Sequence, residues 1–379
     1  MGALVAVVLS TGGSGLCAQG SAYADGCSAA PVANANTFQN ASLISSSYAT
    51  RPPWNVAGVD YPVGIPAGTT LTDWQNISQS GVSVNTSNGV ITVSSSGVTL
   101  NGIDFTGCQT HSCVGFQQVY IQADNFTVTN SKTGGYNETQ ASSALFYQVS
   151  GYGGFVMKNN YIDGGMRALT GSQTSVYGYT FLASGLVDVE YNYFTSWSAQ
   201  IQTVGANPTD GNNGNVINYT FKYNAMVHPL LTSGAHENVF ISDGGDTFSN
   251  VDIEYNTFYQ VLADNNGTGP NELIQIANGT NGAEVTYGTT ILSHNTMMAP
   301  TPTTSGVTVS YFAVGPKVAT NTTFNGPGTV SYNYFDGTGT YGIWNQSPYG
   351  VSTFTPNWTT DANNVDMVNG NSANTNNND

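Results

Sequence analysis

Apolar and polar positions along this chain repeat on two scales. Within short runs they alternate, the two-residue period of a strand with one buried face. On the longer scale one phrase keeps returning: Lys158-Asn159-Asn160-Tyr161-Ile162, Glu190-Tyr191-Asn192-Tyr193-Phe194, Lys222-Tyr223-Asn224-Ala225-Met226 and Glu254-Tyr255-Asn256-Thr257-Phe258. It recurs as Ser293-His294-Asn295-Thr296-Met297 and Ser331-Tyr332-Asn333-Tyr334-Phe335. Weaker copies centre on Asn101 and Asn130. Three places before the central Asn stand Met157, Val189, Phe221, Ile253, Leu292 and Val330; two places after it stand Ile162, Phe194, Met226, Phe258, Met297 and Phe335. Both columns are apolar throughout. A period of about 30 residues admits helical repeats, leucine-rich repeats or stacked strands. In a parallel stack of strands, equivalent residues would lie about 4.8 Å apart, with the apolar columns facing inward.

Composition decides among these. Only 7% of residues are charged, while Gly (45) and Tyr (22) are abundant. Helices present Glu, Lys, Arg and Ala on their outer faces, and a leucine-rich pattern is missing, so helical solenoids and leucine-rich repeats are excluded. Thr, Tyr, Val, Ile and Phe suit strands, and Gly and Asn suit turns. The expected fold is all-β: a single-stranded right-handed parallel β-helix with about eight or more coils and an asparagine ladder over residues 95–345. Residues 25–94, with Pro52-Pro53-Trp54, form a lead-in segment and cap, because an open end is an exposed edge. Residues 346–379 form a C-terminal cap and a disordered Asn-rich tail.

The column two places before the Asn alternates in sign: Lys158, Glu190, Lys222, Glu254. Stacked on adjacent coils, these charges make a salt-bridge ladder that fixes register, which argues against Lys222 as a catalytic base. Asp188 and Asp252 flank Thr220 on the same face and are expected to be solvated carboxylates.

Net charge is −16, from 22 acidic and 6 basic residues. That excludes nucleic acid, which needs clustered Lys and Arg, and disfavours an anionic membrane surface. A polysaccharide, neutral rather than polyanionic, is the partner that suits this balance, with the protein a monomer. The apolar run Met1–Leu9 is too short to span a bilayer. With Ala22-Tyr23-Ala24 following, it reads as a signal peptide over residues 1–24, so the expected location is extracellular, periplasmic or at the cell surface. In an exported protein Cys108 and Cys113 would close a local disulfide; a zinc site with His111 would be an incomplete ligand set.

Candidate chemistry gathers in one stretch. His228, His236, Glu237, Asp243 and Asp246 fall close together in sequence. Aligning the strands on Gly205, Gly244, Gly279 and Gly315 stacks Glu237 on Glu272. Two carboxyls one strand apart would titrate at different pH, which is what an acid and its partner need in glycoside hydrolysis, whether retaining or inverting. His236 or His228 could serve as base. Trp197, Tyr311 and Gln275, at neighbouring repeat positions, are the candidate sugar contacts. Asp243 and Asp246, in Ser-Asp-Gly-Gly-Asp, mark a tight turn or a weak Ca²⁺ loop, and no cofactor is required.

With the repeat and its asparagine column, the chain resembles the pectin-lyase-like superfamily of right-handed β-helix proteins. That resemblance covers about two thirds of the chain and implies fold far more than activity. The Asn-Thr-Asp, Asp-Asp, Gly-His-Gly and Arg-Ile-Lys motifs of polygalacturonase-type hydrolases are missing. A pectate-lyase-type site would need Ca²⁺ carboxylates and a basic residue. The segment His236-Glu237-Asn238 and the strand after it are similar to secreted bacterial β-helix proteins, a likeness that implies no reaction. The functional expectation is a secreted carbohydrate-active protein cleaving a polysaccharide with a carboxylate pair. A lyase, or a non-catalytic glycan-binding or structural surface protein, stands as the alternative.

Overall fold

The computed structural model describes residues 36–44, 48–106, 116–133, 144–149, 151–163, 180–195, 201–202, 216–227, 240–241, 247–259, 274–275, 285–298, 314–315, 322–336 and 358–372. Across them the protein is all-β, with one 3₁₀ turn at Trp74–Asn76. Two long sheets dominate. Sheet I runs from Thr99–Asn101 through Phe155–Lys158, Val216–Lys222 and Val285–Ser293 to Trp358–Ala362. Sheet II has ten strands, from Thr72–Asp73 through Tyr161–Asp163 and Ala225–Val227 to Val365–Asp366. A third sheet holds Val82–Asn85, Val90–Val93, Gln118–Ile121, Phe146–Gln148 and Phe181–Leu182. The fourth holds Ile201–Gln202, Phe240–Ile241, Ile274–Gln275 and Val314–Gly315.

The chain visits sheet I, sheet II and then the third or fourth sheet, and returns beside its previous strand in sheet I. Every pairing in this cycle is parallel. Antiparallel pairing joins Thr37–Phe38 to Val63–Gly64 and Val82–Asn85 to Val90–Val93. Each pass is one rung. The registers follow the sequence columns: Met157 pairs with Val189, Val189 with Phe221, Phe221 with Ile253 and Ile253 with Leu292. All five are buried. In sheet II, Ile162, Phe194, Met226, Phe258, Met297 and Phe335 pair in the same order and are buried as well. The core is therefore continuous along the rungs.

Between sheets I and II each rung turns on one left-handed residue. Asn130, Asn159, Tyr191, Tyr223, Tyr255, His294, Tyr332 and Asn363 all have φ between 51° and 60°. The next residue carries the ladder. Each of Asn160, Asn192, Asn224, Asn256, Asn295 and Asn333 is fully buried, and its backbone N–H and side-chain amide both donate to the Oδ1 of the following one. The last acceptor is Asn364. Every donor that the turn would otherwise orphan is thereby satisfied.

Three expectations change. Asn130 is the left-handed turn residue, and Ser131 holds the ladder position by donating to Asn160 Oδ1. Asn101 pairs with Thr129, which places Ile103 at the ladder level. A ninth rung near the C-terminus, with Asn364, lies past residue 345.

The lead-in segment also lies elsewhere than expected. Trp74, fully buried against Phe116, belongs to the end of the stack. Residues 36–44 and 48–65 instead lie along the outer face of sheet II. There Phe38, Leu43, Val56, Ala57, Val59 and Val63 bury a second apolar core against Ala225, Val227, Met298 and Met367.

Candidate functional site

Strand alternation sends Asp188 and Glu190, then Asp252 and Glu254, out of sheet I on the same face as Lys158 and Lys222. Each lysine reaches one rung forward and bonds two carboxylates at once. Lys158 Nζ lies 2.8 Å from Asp188 Oδ2 and 2.9 Å from Glu190 Oε2. Lys222 Nζ lies 2.6 Å from Asp252 Oδ2 and 2.8 Å from Glu254 Oε2. The charge ladder forms as two separate clasps, Lys158 with Glu190 and Lys222 with Glu254, and the two aspartates are clasped rather than solvated. Ser293 Oγ donates to Glu254 Oε1 and sits 2.9 Å from His294 Nδ1.

Burial works against the Lys222 ammonium, but its bonds to Asp252 and Glu254 outweigh that and hold its pKa above the ordinary value. Burial together with the Glu254 charge pushes Asp252 up to about 6, in spite of Lys222. Burial would raise Glu254 too, yet the bonds from Lys222 and Ser293 lower it. Burial lowers His294, so the ring is neutral at pH 7 although Glu254 stands nearby. A lysine held protonated this firmly is a poor general base. The same clasp occurs twice, two rungs apart, whereas a catalytic centre needs to occur once. Both features assign Lys158 and Lys222 to scaffolding and weigh against lyase chemistry at either.

Replacing Lys222 by methionine should cost about 1–2 kcal/mol at pH 8, the scale of a partly buried ion pair whose partners are left facing each other. Without the ammonium, both carboxyls would have folded pKa values above their unfolded ones. The folded state then binds more protons than the unfolded state, so stability rises as pH falls. Urea titrations should show the cost shrinking between pH 8 and pH 5. A cost that does not change with pH would mean that the carboxylates do not depend on Lys222.

Beside the clasp runs a column of rings at the left-handed turn. Tyr191, Tyr223, Tyr255, His294 and Tyr332 stack at centroid distances of 4.9, 5.4, 4.6 and 5.1 Å. Trp54 covers part of it edge-on, 5.0 Å from His294 and 6.1 Å from Tyr255. Neither the two aspartate bonds nor this column was expected, though the ring column could have been found by reading one place before the Asn.

The proposed catalytic and sugar-binding residues fall on segments leading into one sheet. Ile201, Phe240, Ile274 and Val314 pair in that order across the fourth sheet. Trp197 precedes the first of these strands, His236 and Glu237 the second, Glu272 the third and Tyr311 the fourth. All five lie outside the described residues, as do His228, Asp243, Asp246, Cys108, Cys113 and residues 1–24. Gln275 is described in its backbone, pairing with Ile241 and Gly315.

The glycine alignment is corrected here. It sets Phe240 opposite Gln275, whereas the observed partner is Ile274, and it sets Gln275 opposite Tyr311, whereas the observed partner is Gly315. The step from Gly205 to Gly244 agrees with the pairing of Ile201 and Phe240, while the next two steps slip by one residue and by four. Counted back from the paired residues, Glu237 is three positions ahead of its strand and Glu272 two positions ahead of the next.

Among the described residues no group of His, Cys, Asp and Glu could hold a metal ion, and no helix is long and apolar enough to cross a membrane. The chain matches no protein-family model, no curated protein and no solved structure.

Proposed function

We propose that the stack is a right-handed parallel β-helix and that the protein, exported from the cell, binds a polysaccharide on its outer surface and cleaves it with carboxyl groups. The observation that carries this reading is the pairing of the fourth sheet. Segments bearing Trp197, His236–Glu237, Glu272 and Tyr311, far apart in sequence, lead into four successive hydrogen-bonded strands. Neighbouring rungs repeat at about 4.8 Å, close to the length of one sugar unit in an extended glycan. Carboxyl, imidazole and aromatic groups on consecutive rungs are the equipment of glycoside hydrolysis. Glu237 is the leading acid, and Glu272, two positions ahead of the next strand in sequence, is its partner.

The test is a survey of neutral and acidic polysaccharides for new reducing ends and for unsaturated products. Reducing ends without unsaturation are expected, with Glu237→Gln lowering the rate at least about a hundredfold while the unfolding midpoint stays in place. No response from any substrate, or full activity in the variant, sinks the proposal.

A non-catalytic glycan-binding or structural rod is the second reading. The repeated lysine clasps favour it, since they commit the charged face of sheet I to register. Binding of a glycan with no product formed would select it.

A further inference from the structure

We infer that residues 36–44 and 48–65 form a latch, which closes on the completed stack and can open while the rungs persist. At one end of this segment Gly64 N donates to Tyr191 O at 2.9 Å, and Phe38 stacks on Tyr193 at 4.8 Å. In the middle Thr257 Oγ1 donates to Ala57 O at 2.7 Å, and Trp54 stands 5.1 Å from Tyr334. At the other end Tyr48 OH donates to Asp336 Oδ2 at 3.0 Å, and Thr50 N donates to Met367 O at 3.2 Å. The segment thus crosses six rungs, from the one at Asn192 to the one at Asn364.

Three features make it a separate unit. Its apolar residues bury a core of their own, distinct from the core inside the rungs. The ladder asparagines bond to one another and to strand carbonyls, so opening the segment breaks no ladder bond. Its link to the stack is the turn at residues 66–70, exposed at Pro66, Ala67, Gly68 and Thr70. Elements with their own core and an exposed connection open as local units, below the free energy of global unfolding.

Chain order then fixes the sequence of events. The contact between Tyr48 and Asp336 joins residues 288 apart, and that between Ala57 and Thr257 joins residues 200 apart. Contacts of such separation close late, because their loop entropy is recovered only once the intervening chain is ordered. A segment that precedes in the chain every rung it covers is therefore the last to dock. Until it docks, an apolar strip at Ala225, Val227 and Met298 stays open on the side of the stack.

Hydrogen exchange on the full chain tests this. The reporters are the Thr50 and Gly64 amides, which bond across to the rungs, and the Asn192, Asn224 and Asn256 amides in the ladder. Gly58→Ala strikes the latch and the place where it seats on Ala225. At φ +69° its new methyl would stand 2.6 Å from the Phe38 ring and 3.0 Å from Ala225. Latch amides should exchange at least tenfold faster, with ladder amides unchanged. Thr257→Val, which only deletes the bond to Ala57 O, should shift the same amides severalfold, and serves if Gly58→Ala fails to fold. In pulse-labelled refolding of the unmodified protein, the latch amides should gain protection after the ladder amides. Exchange of both sets together in a single global opening, or latch protection first, would overturn the inference.

Discussion

Asn224→Asp should lower stability by about 3–5 kcal/mol at pH 8, the cost of a buried charge left uncompensated. Asn224 is fully buried, and its two amide atoms play opposite parts. Oδ1 accepts from Asn192 N at 2.8 Å and Asn192 Nδ2 at 3.0 Å. Nδ2 donates to Val189 O at 2.9 Å and to Asn256 Oδ1 at 3.1 Å. Aspartate keeps the first pair of bonds and reverses the second, setting a carboxylate oxygen against two acceptors. Its folded pKa must therefore lie above the unfolded value, so the variant should recover stability as pH falls. Alanine makes a useful contrast. It chiefly strands the Asn192 N–H, because Asn192 Nδ2 still reaches Met157 O, and should cost about 1–3 kcal/mol with little dependence on pH. Urea titrations of both variants at pH 5 and pH 8 separate the two effects. An aspartate variant as stable as the parent at pH 8 would show that the ladder amides are not the acceptor-and-donor chain described.

Gly288→Ala is expected to cost about 3 kcal/mol, at the upper end for forcing a methyl into a packed site. The obstacle is backbone, which cannot swing aside. A Cβ at Gly288 would lie 2.2 Å from Ser249 O, and one at Gly326 would lie 2.4 Å from Gly288 C. Three successive rungs thus nest main chain on main chain at this level. The strand beyond Gly288 is split here, since Thr322–Phe324 and Gly328–Ser331 pair with it on either side of Gly326. A shift in denaturation midpoint should be accompanied by altered exchange in Thr247–Glu254. A variant within about 0.5 kcal/mol of the parent, the range of a neutral surface change, would refute the close approach.

How much of this was legible in the sequence depended on how many roles a residue type can play. The six central asparagines stood out because Tyr or His precedes most of them, so only one asparagine marked the turn. In the earlier rungs asparagine also fills the left-handed position, which it tolerates better than other non-glycine residues. Asn130 therefore passed for a ladder member although Ser131 is the member. Asn364 was hidden for a different reason. Its rung sets Thr360 against Val330 and Asp366 against Phe335, polar where other rungs are apolar, and a register shift at Asp361 breaks the spacing. Alternating charges gave the lysine ladder, but the bonds to Asp188 and Asp252 depend on how far a lysine reaches diagonally, which spacing alone does not state. Nothing local could place Phe38 on Tyr193 or Ala57 on Thr257. Those contacts belong to the latch, and a periodicity read along the chain has no access to them. The register of the fourth sheet followed the glycine alignment for its first pair and departed from it after that, because the later connecting segments differ in length.

The lysine clasps have a bearing on descent. Ladder asparagines are interchangeable from rung to rung, so a gene that lost or copied one repeat would still encode an unbroken amide chain. Charge does not share that freedom. Loss of the Asp188–Glu190 rung would bring Lys158 against Lys222, and a copied lysine rung would do the same. Loss of two rungs returns Lys158 to Asp252 and Glu254, the partners that Lys222 now holds. In its charged region the heritable unit of this stack is a pair of repeats, and its length can change without penalty only by twos.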